Sequence, residues 1–283
     1  MIPTIRQPRL VRYSYRAYVA LFFLYLALPL VVVSVFAFNN SQFPSLPWEG
    51  GTLAWFFGSE RPMIGVFHER PILRALGNSA FIAFFVSLMS VVLGATNAFL
   101  FNRYEFRLKS FFYMLMLLPL VIPGIVLGIS ILVFSSTAAN GIEETIGWDI
   151  EALRPGLPLV ILGQFSFITT IVTLVVSARL HKFDRSLEEA ALNLGASHLT
   201  AVRTITLPFL LPALIGGFVV AFLMSFENFN TTLMLVGSDA PLTIAMFDRM
   251  KEGSTPLLNA VSLLLMIGSS TLALMMIALQ RKD

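Results

Sequence analysis

The chain of 283 residues is too apolar for a soluble domain, because 57% of its residues are hydrophobic and only 12% are charged. With a mean hydropathy of +0.81, it has the composition of a polytopic membrane protein. The pI of about 9.4 reflects basic residues between apolar stretches and does not imply a nucleic-acid partner. The absence of cysteine excludes disulfides, thiolate catalysis and Cys-ligated metals.

Six apolar stretches are long enough to cross a bilayer, which requires about 20 residues per helix. The predicted fold class is therefore all-α, with six transmembrane helices in one domain over residues 1–283. The first stretch follows a basic arm, as a signal peptide would, but its length favours an uncleaved span. The stretches are 17–38, 79–101, 111–134, 157–178, 211–236 and 260–280.

The basic residues define an orientation. If the amino terminus is cytoplasmic, roughly two thirds of the Lys and Arg residues fall on the cytoplasmic side, as the positive-inside rule requires. Both termini and the segment 179–210 are then predicted to be cytoplasmic. The loops 39–78, 135–156 and 237–259 are predicted to be external.

The third stretch is interrupted by prolines and glycines. Pro119 and Pro123 break the helical hydrogen-bond ladder, which a membrane tolerates only where neighbours or water satisfy the freed carbonyls. Gly124 and Gly128 are four residues apart and permit close helix contact. This stretch is therefore predicted to lie inside the bundle.

The segment 179–210 contains two short predicted helices. Ser186 and Glu189 have the spacing of a capping box, which indicates a helix start. Gly195 is a stop signal, Ser197 can cap a second helix, and Pro208 is predicted to end it. The first helix is too short to be stable alone, so either another subunit or its own membrane domain must cover its apolar stripe. The stripe consists of Leu187, Ala190, Ala191 and Leu194.

The same segment resembles, at every defining position, the EAA loop of binding-protein-dependent ABC importer permeases. The matching residues are Glu189, Ala190 and Ala191, then Gly195, then Ile205 to Pro208. The resemblance implies that this loop is the seat of a separate ATPase subunit. The implied coupling residues are Leu187, Glu189, Ala190, Ala191, Leu194, Gly195, Ile205 and Pro208.

The resemblance also implies the rest of the assembly. A type I permease in a bacterial inner membrane pairs with a second permease subunit, usually a homologous but different chain. Two ATPase subunits lie below, and an external solute-binding protein delivers the ligand above. Transport would proceed by alternating access. The cofactors, ATP and Mg²⁺, would belong to the ATPase and not to this chain.

No enzyme site is predicted in the chain itself. It contains no Gly-x-x-x-x-Gly-Lys sequence, so a Walker A loop for ATP is excluded. His68, His181 and His198 are isolated in the sequence and do not have the spacing of metal ligands. A Gly-x-Ser-x-Gly nucleophile elbow is also missing. The energy for transport must therefore come from another chain.

Glu227 is the one charged residue within the six apolar stretches. A carboxylate in hydrocarbon is costly, so it is expected to face a partner or a water-filled path. Asn230 and Thr231 follow at i+3 and i+4 and are predicted to extend the same polar face. With Phe226 and Phe229 beside it, the carboxylate is suited to bind an organic ammonium ion. The alternative is a salt bridge or shared proton with a companion subunit.

The region around Glu227 resembles the spermidine/putrescine branch of these permeases, which often has an acidic residue at this point. The resemblance implies a polyamine as the transported solute. Another amine or an amino-acid-derived solute such as an opine remains an alternative. A different class of protein, an ion-coupled secondary carrier with Glu227 as its coupling carboxylate, is the second alternative. The run that carries the resemblance is Ser225 to Phe229, then Gly237, Pro256, Asn259 and Ala260.

Overall fold

The regular structure of the chain is helical. A computed structural model describes residues 9–44, 46–253 and 255–280, in which an isolated β-bridge accompanies the helices. A 3₁₀-helix covers Glu151–Leu153 and a π-helical turn covers Val202–Thr206. The α-helices are α1 (Arg9–Phe36), α2 (Ala54–Phe57), α3 (Arg70–Arg103), α4 (Lys109–Val121), α5 (Gly124–Ile146), α6 (Leu157–Leu180), α7 (Ser186–Asn193), α8 (His198–Ala201), α9 (Leu207–Phe226), α10 (Asn230–Leu235), α11 (Leu242–Glu252) and α12 (Pro256–Gln280).

Six helical runs among the described residues are long and apolar enough to cross a membrane. This confirms the predicted all-α fold and the predicted number of spans. Four of the runs cover most of the corresponding predicted stretch, whereas the third and fifth runs cover only a part of it. The runs are Leu10–Phe36, Arg70–Arg103, Gly124–Ile146, Leu157–Leu180, His198–Phe226 and Pro256–Ala278.

The third predicted stretch, 111–134, is not one helix, and that prediction is wrong. The chain forms α4 and α5 instead, with Ile122 and Pro123 between them. Pro123 has no amide hydrogen to donate, and its ring favours an extended residue before it. Ile122 is extended accordingly, at φ −78° and ψ 128°. Because α5 continues to Ile146, the first part of the predicted loop 135–156 is helical.

The fifth predicted stretch, 211–236, begins earlier than expected and is interrupted after its middle. The helical run covers His198–Phe226, so the prediction that Pro208 ends the preceding helix is wrong. The π-helical turn explains this, because the Leu207 amide donates to the Val202 carbonyl five residues earlier. The hydrogen-bond ladder has therefore changed register just before the proline removes a donor.

The chain divides into two compact units, one of residues 1–70 and 249–268 and the other of residues 71–248 and 269–283. The boundaries near residues 249 and 268 fall inside α11 and α12 and not in linkers. The prediction of a single permease domain stays a prediction. Both candidate sites described below lie wholly within the second unit.

In the second unit, α6 is the most buried of the six candidate spans. Val172 and Val176 are fully buried and belong to a core that includes Leu210 of α9. Gly94 of α3 permits a close approach, since a Cβ built there would lie 2.9 Å from Val172 Cγ1. This packing fixes α3, α6 and α9 against one another. It therefore holds in place the end of α3 and the start of α9, which contribute to the first candidate site.

Gly124 and Gly128 have the role that their spacing predicts. A Cβ at Gly124 would lie 3.1 Å from Asn230 Cβ, and one at Gly128 would lie 3.0 Å from Met234 Cβ. The two glycines therefore let α5 approach α10 closely, which confirms the predicted close helix contact. The prediction that the whole stretch lies inside the bundle is wrong for this chain, because α4 has no buried residue and Val133 and Phe134 of α5 are exposed.

The first unit is built around the amino-terminal part of the predicted external loop 39–78. Trp55 is buried, and its indole Nε1 donates to the Asn39 carbonyl over 2.8 Å. Glu69 and Arg249 form an ion pair. Two separated parts of the chain are joined in this unit by that pair, and they line a cavity of about 380 Å³ beside it.

Candidate functional site

The α7 helix ends at Gly195 as the sequence predicts. Gly195 has a φ of +89°, in the left-handed region that glycine adopts without strain. The Gly195 amide donates to the Leu192 carbonyl over 2.9 Å, and the Ala196 amide donates to the Ala191 carbonyl over 3.0 Å. These two bonds form a Schellman motif, which fixes the direction in which the chain leaves α7.

The start of α7 differs from the predicted capping box. Ser186 is already helical, and the Glu189 amide donates to the Arg185 carbonyl over 3.2 Å, not to the Ser186 hydroxyl. The Asp184 carboxylate instead accepts the Ser186 amide over 2.9 Å. That bond from the Ser186 amide lowers the pKa of Asp184. The capping-box prediction is therefore wrong, because the Asp184 side chain, two residues before Ser186, accepts the free Ser186 amide in its place. Ser197, however, caps α8 as predicted, accepting the Thr200 amide over 3.2 Å.

The apolar stripe of α7 is mostly uncovered. Leu187 is 51% exposed and Leu194 is 89% exposed. Glu189 and Ala190 are exposed as well, whereas Ala191 is half-buried. The helices that the structure describes leave that surface open to solvent. Ile205 and Pro208, the other two predicted coupling residues, lie in the π-helical turn and the first turn of α9; Ile205 is half-buried and Pro208 is exposed.

Glu188, which the sequence analysis did not select, is held by the ends of two other helices. Arg103, the last residue of α3, donates from Nη1 to Glu188 Oε2 over 2.6 Å and from Nη2 to Glu188 Oε1 over 2.9 Å. The Thr206 hydroxyl donates to the same Oε1. The Arg103 and Glu188 side chains are only 15% and 16% exposed. Glu188 is thus a fixed anion, in contrast to its exposed neighbour Glu189.

The surroundings of this ion pair are basic and aromatic. Arg103 lies over the rings of Phe99 and Phe183, at 5.9 Å and 5.4 Å from the ring centroids. Burial alone raises the pKa of Glu188, but the bonds from Thr206 and Arg103 and the charges of Arg103 and Arg185 outweigh it. The pKa of Glu188 is therefore lowered, and the carboxylate stays ionised.

The second candidate site lies where α9 ends. Glu227 follows the last residue of α9, and its amide still donates to the Leu223 carbonyl over 3.1 Å. Residues 227–229 then separate α9 from α10 and are called the α9–α10 junction. Glu227 is exposed, and its side chain makes no hydrogen bond or ion pair in the part of the chain that the structure describes.

The polar face predicted from Glu227 through Asn230 and Thr231 does not form. The helix stops at the junction, so these residues do not follow one helical face. Asn230 is exposed, whereas Thr231 is buried and donates to the Gly124 carbonyl over 3.2 Å. The cause is Asn228, whose Oδ1 accepts the amide of Thr232 over 3.2 Å and replaces a helical backbone partner.

A buried chain of neutral hydrogen bonds holds the junction. The Ser225 hydroxyl donates to Gln164 Oε1, and Gln164 Nε2 donates to the Thr232 hydroxyl oxygen over 2.8 Å. The Thr232 hydroxyl in turn donates to Asn228 Oδ1 over 2.9 Å. Gln164 is 1% exposed. The side chains of this network therefore stabilise the break between α9 and α10, since every member of the network has a partner.

The two predicted pathway phenylalanines take part in different ring contacts. Phe226 stacks on Phe222 at 5.9 Å between centroids, and Phe222 stacks on Phe218 at 6.5 Å. Phe229 makes an edge contact with Phe247 at 4.9 Å. Phe226 and Phe229 are half-buried. A row of three stacked rings thus runs along α9 to the residue before Glu227.

A cavity of about 520 Å³ lies between α3, α4 and α6, and the predicted pathway residues do not line it. Most of its lining is apolar, with Asn97 and Ser166 among the few polar side chains. Pro119 of α4 also lines it. The sequence offered one signal of this cavity, the proline in the third stretch.

Comparisons with known proteins find a transport family and two polyamine permeases that are similar to this chain. Residues 90–282 match the family model for the binding-protein-dependent transport system inner membrane component. The putrescine transport system permease protein PotI of Escherichia coli (strain K12) is 29% identical over 268 residues, 94% of this chain and 88% of the relative. The spermidine/putrescine permease PotC of Haemophilus influenzae is 27% identical over 268 residues, 94% and 96%.

The fold is also found among solved structures. A bacterial ABC transporter involved in the import of the acidic polysaccharide alginate aligns with a TM-score of 0.76. The alignment covers 96% of this chain and 95% of that chain at 16% sequence identity. At this identity the likeness concerns the fold alone.

Proposed function

The chain belongs to the family of inner membrane components of binding-protein-dependent transport systems, and from this we propose that it forms half of the pore of an ATP-driven importer. The observation that carries the proposal is the exposed stripe of α7, with Leu187 and Leu194 open to a partner. The proposed partner there is an ATPase subunit, which supplies the site for ATP and Mg²⁺. An exposed apolar helix face of this kind is suited to a hydrophobic cleft.

The proposed assembly contains this chain, a homologous but different permease subunit, two ATPase subunits and an external solute-binding protein. It lies in the inner membrane of a bacterium with both termini in the cytoplasm, as the distribution of Lys and Arg favours. ATP-driven closure of the ATPase pair would move α7 and open the pore outward. Ligand released by the binding protein would then enter from outside.

The proposed cargo is a small organic cation, putrescine, spermidine or a related compound. The two curated relatives named above are putrescine and spermidine/putrescine permeases. Glu227 supports the same class of ligand, since it is exposed at the α9–α10 junction. An ammonium ion that passes this carboxylate would compensate its charge transiently. The ring of Phe226 offers a cation–π contact close to it.

The decisive experiment reconstitutes the complete complex in proteoliposomes with ATP inside. Uptake of radiolabelled putrescine and spermidine, delivered on the binding protein, is measured with ATP and with a non-hydrolysable analogue. We expect uptake only with ATP. Competition by an opine and by unrelated amines ranks the alternative cargoes.

The same vesicles test the ion-coupled carrier. A protonophore and a sodium ionophore collapse the ion gradients without removing ATP. Uptake that survives both ionophores and requires ATP supports the importer. Uptake that persists without ATP and disappears with an ionophore would refute the proposal and favour the carrier that uses Glu227.

A further inference from the structure

Glu188 and Glu189 are adjacent in α7 but have different surroundings. Glu189 is exposed on the side of the helix proposed to meet the ATPase. Glu188 is bound by Arg103 at the end of α3 and by Thr206 just before α9. Glu189 thus faces the proposed ATPase, whereas Glu188 binds the membrane-spanning part of the same chain.

We propose that the Glu188–Arg103 ion pair is the link through which a displacement of α7 moves α3, with Thr206 fixing the orientation of the carboxylate. The inference rests on the proposed function, in which an ATPase moves α7. It makes Glu188, Arg103 and Thr206 positioning residues for transport, although none of them belongs to the exposed stripe.

The geometry of the pair suits the transmission of movement. The two parallel bonds between the guanidinium and the carboxylate define an orientation as well as a distance. The exposed pair between Lys109 and Glu105 has one bond of 2.7 Å, and its Glu105 side chain is 89% exposed. Such a pair can reorient in solvent and contributes little. The Glu188 pair is shielded from solvent and cannot separate without leaving a buried charge.

The same point connects a third span. Arg185, one residue before α7, donates from Nη2 to the Asn102 carbonyl at the end of α3 over 2.7 Å. Asn102 in turn donates to the Ser177 hydroxyl of α6 over 3.1 Å. The ends of α3, α6 and α9 therefore converge on the residues around Glu188. A shift of α7 must either carry these ends with it or break the network.

The principal test is Glu188→Gln, which keeps the side-chain shape but removes the charge. Complexes are purified with their ATPase subunits and reconstituted. The yield of complex and its ATP hydrolysis are compared with the amount of labelled putrescine transported per ATP. We expect a lower yield, because Arg103 keeps its charge without a counter-charge. The complex that does assemble should retain its ATPase and lose roughly tenfold in transport per ATP, the size of a typical coupling between sites. Glu105→Gln is the matched control and should change neither quantity.

A second measurement follows α3 directly. The chain contains no cysteine, so Asn97→Cys introduces a single label in α3, at the wall of the cavity between α3, α4 and α6. The labelling rate is compared with and without ATP in otherwise unchanged complexes and in complexes that also carry Glu188→Gln. We expect ATP to change the rate in the first and not in the second.

The outcomes separate this inference from the proposed function. If the unaltered complex does not transport with ATP, the proposed function is wrong. If it transports, but Glu188→Gln has the same transport per ATP and the same ATP-dependent labelling, only the ion-pair link is wrong. If Glu188→Gln prevents assembly, Thr206→Val decides, because it removes one hydroxyl at constant shape. Transport per ATP unchanged in Thr206→Val would then overturn the inference.

Discussion

The α7 helix and the α9–α10 junction are both short segments next to a candidate membrane span, and each contains an acidic residue. The two acidic side chains differ in exposure and in their partners. At α7, Glu188 is held by Arg103 and Thr206 and is largely removed from solvent. At the junction, Glu227 is exposed and has no side-chain partner in the described residues. There the buried polar groups are neutral, and Gln164 is their centre.

The difference follows from what each place can tolerate. A buried carboxylate requires a fixed counter-charge, and once paired it is rigid. A neutral network of hydroxyl and amide groups can hold a backbone break without any charge. Glu227 is therefore left exposed, where we propose that it meets a passing cation, whereas Glu188 is fixed within the structure. The comparison predicts that substitutions at α7 weaken the coupling of the chain to the ATPase. Substitutions at Glu227 should instead reduce the uptake of the cationic cargo.

The largest effect is expected from Gly195→Val. A β-branched residue at φ +89° costs about 1–3 kcal/mol of strain, and the Schellman turn that orients α7 should be lost. We expect the ATPase to be absent after purification and uptake to be abolished. A Cβ at this position meets no other atom within 4 Å, so the effect would come from the backbone and not from a clash.

Gly195→Asn is the control for that experiment, because asparagine tolerates the left-handed region far better than valine. It should retain the ATPase and most of the uptake. Equal loss in both variants would show that the side-chain volume, and not the backbone conformation, matters at this surface.

A smaller and more selective effect is expected from Glu227→Gln. The change removes the charge and keeps the shape at an exposed position, so complex yield and basal ATP hydrolysis should be unchanged. Uptake of putrescine and ligand-stimulated hydrolysis should fall, since the transient partner of the ammonium group is gone. Unchanged uptake would exclude a transport role for this charge. A lost complex would instead indicate a salt bridge to a companion subunit.

The neutral network is tested by Gln164→Leu. This change leaves the hydroxyls of Ser225 and Thr232 without their common partner, which costs about 1–3 kcal/mol when the groups are buried. We expect a lower melting temperature of the purified chain and little change in its association with the ATPase. Glu227→Gln, measured in parallel, should not shift the melting temperature. If both variants shift it equally, the proposed division between structural amide and free carboxylate is wrong.

Features determined by local chemistry could be predicted from the sequence. Apolar length gave the number of spans, and the positive φ at Gly195 was expected from glycine after an amphipathic helix. The close approach at Gly124 and Gly128 was expected from their spacing. In each case the signal lies in residues within a few positions of one another, although the helix that α5 contacts, α10, was not predicted.

Features that depend on distant or competing partners were not predicted. Arg103 and Glu188 are 85 residues apart, and nothing in either neighbourhood indicates the pair. Asn228 interrupts the fifth stretch because its side chain competes with the backbone, although the apolar pattern continues beyond it. Asp184 likewise took the role expected of Ser186. In each case a polar side chain has several possible partners, and the tertiary structure determines which of them it binds.

Labelling of single cysteines perturbs the protein least, and it determines on which side of the membrane α7 lies. Single cysteines at Ser110 and Ser59 should be nearly neutral, because both positions are exposed. Ser197→Cys should cost only the capping bond to the Thr200 amide, about 1 kcal/mol. The distribution of Lys and Arg predicts that Ser197 and Ser110 react only with a membrane-permeant reagent in intact cells, and that Ser59 also reacts with an impermeant one. Ser254, also expected outside, lies beyond the described residues. If Ser197 reacts with the impermeant reagent, α7 is external, no cytoplasmic ATPase can reach it, and Glu188 cannot act as the link proposed above.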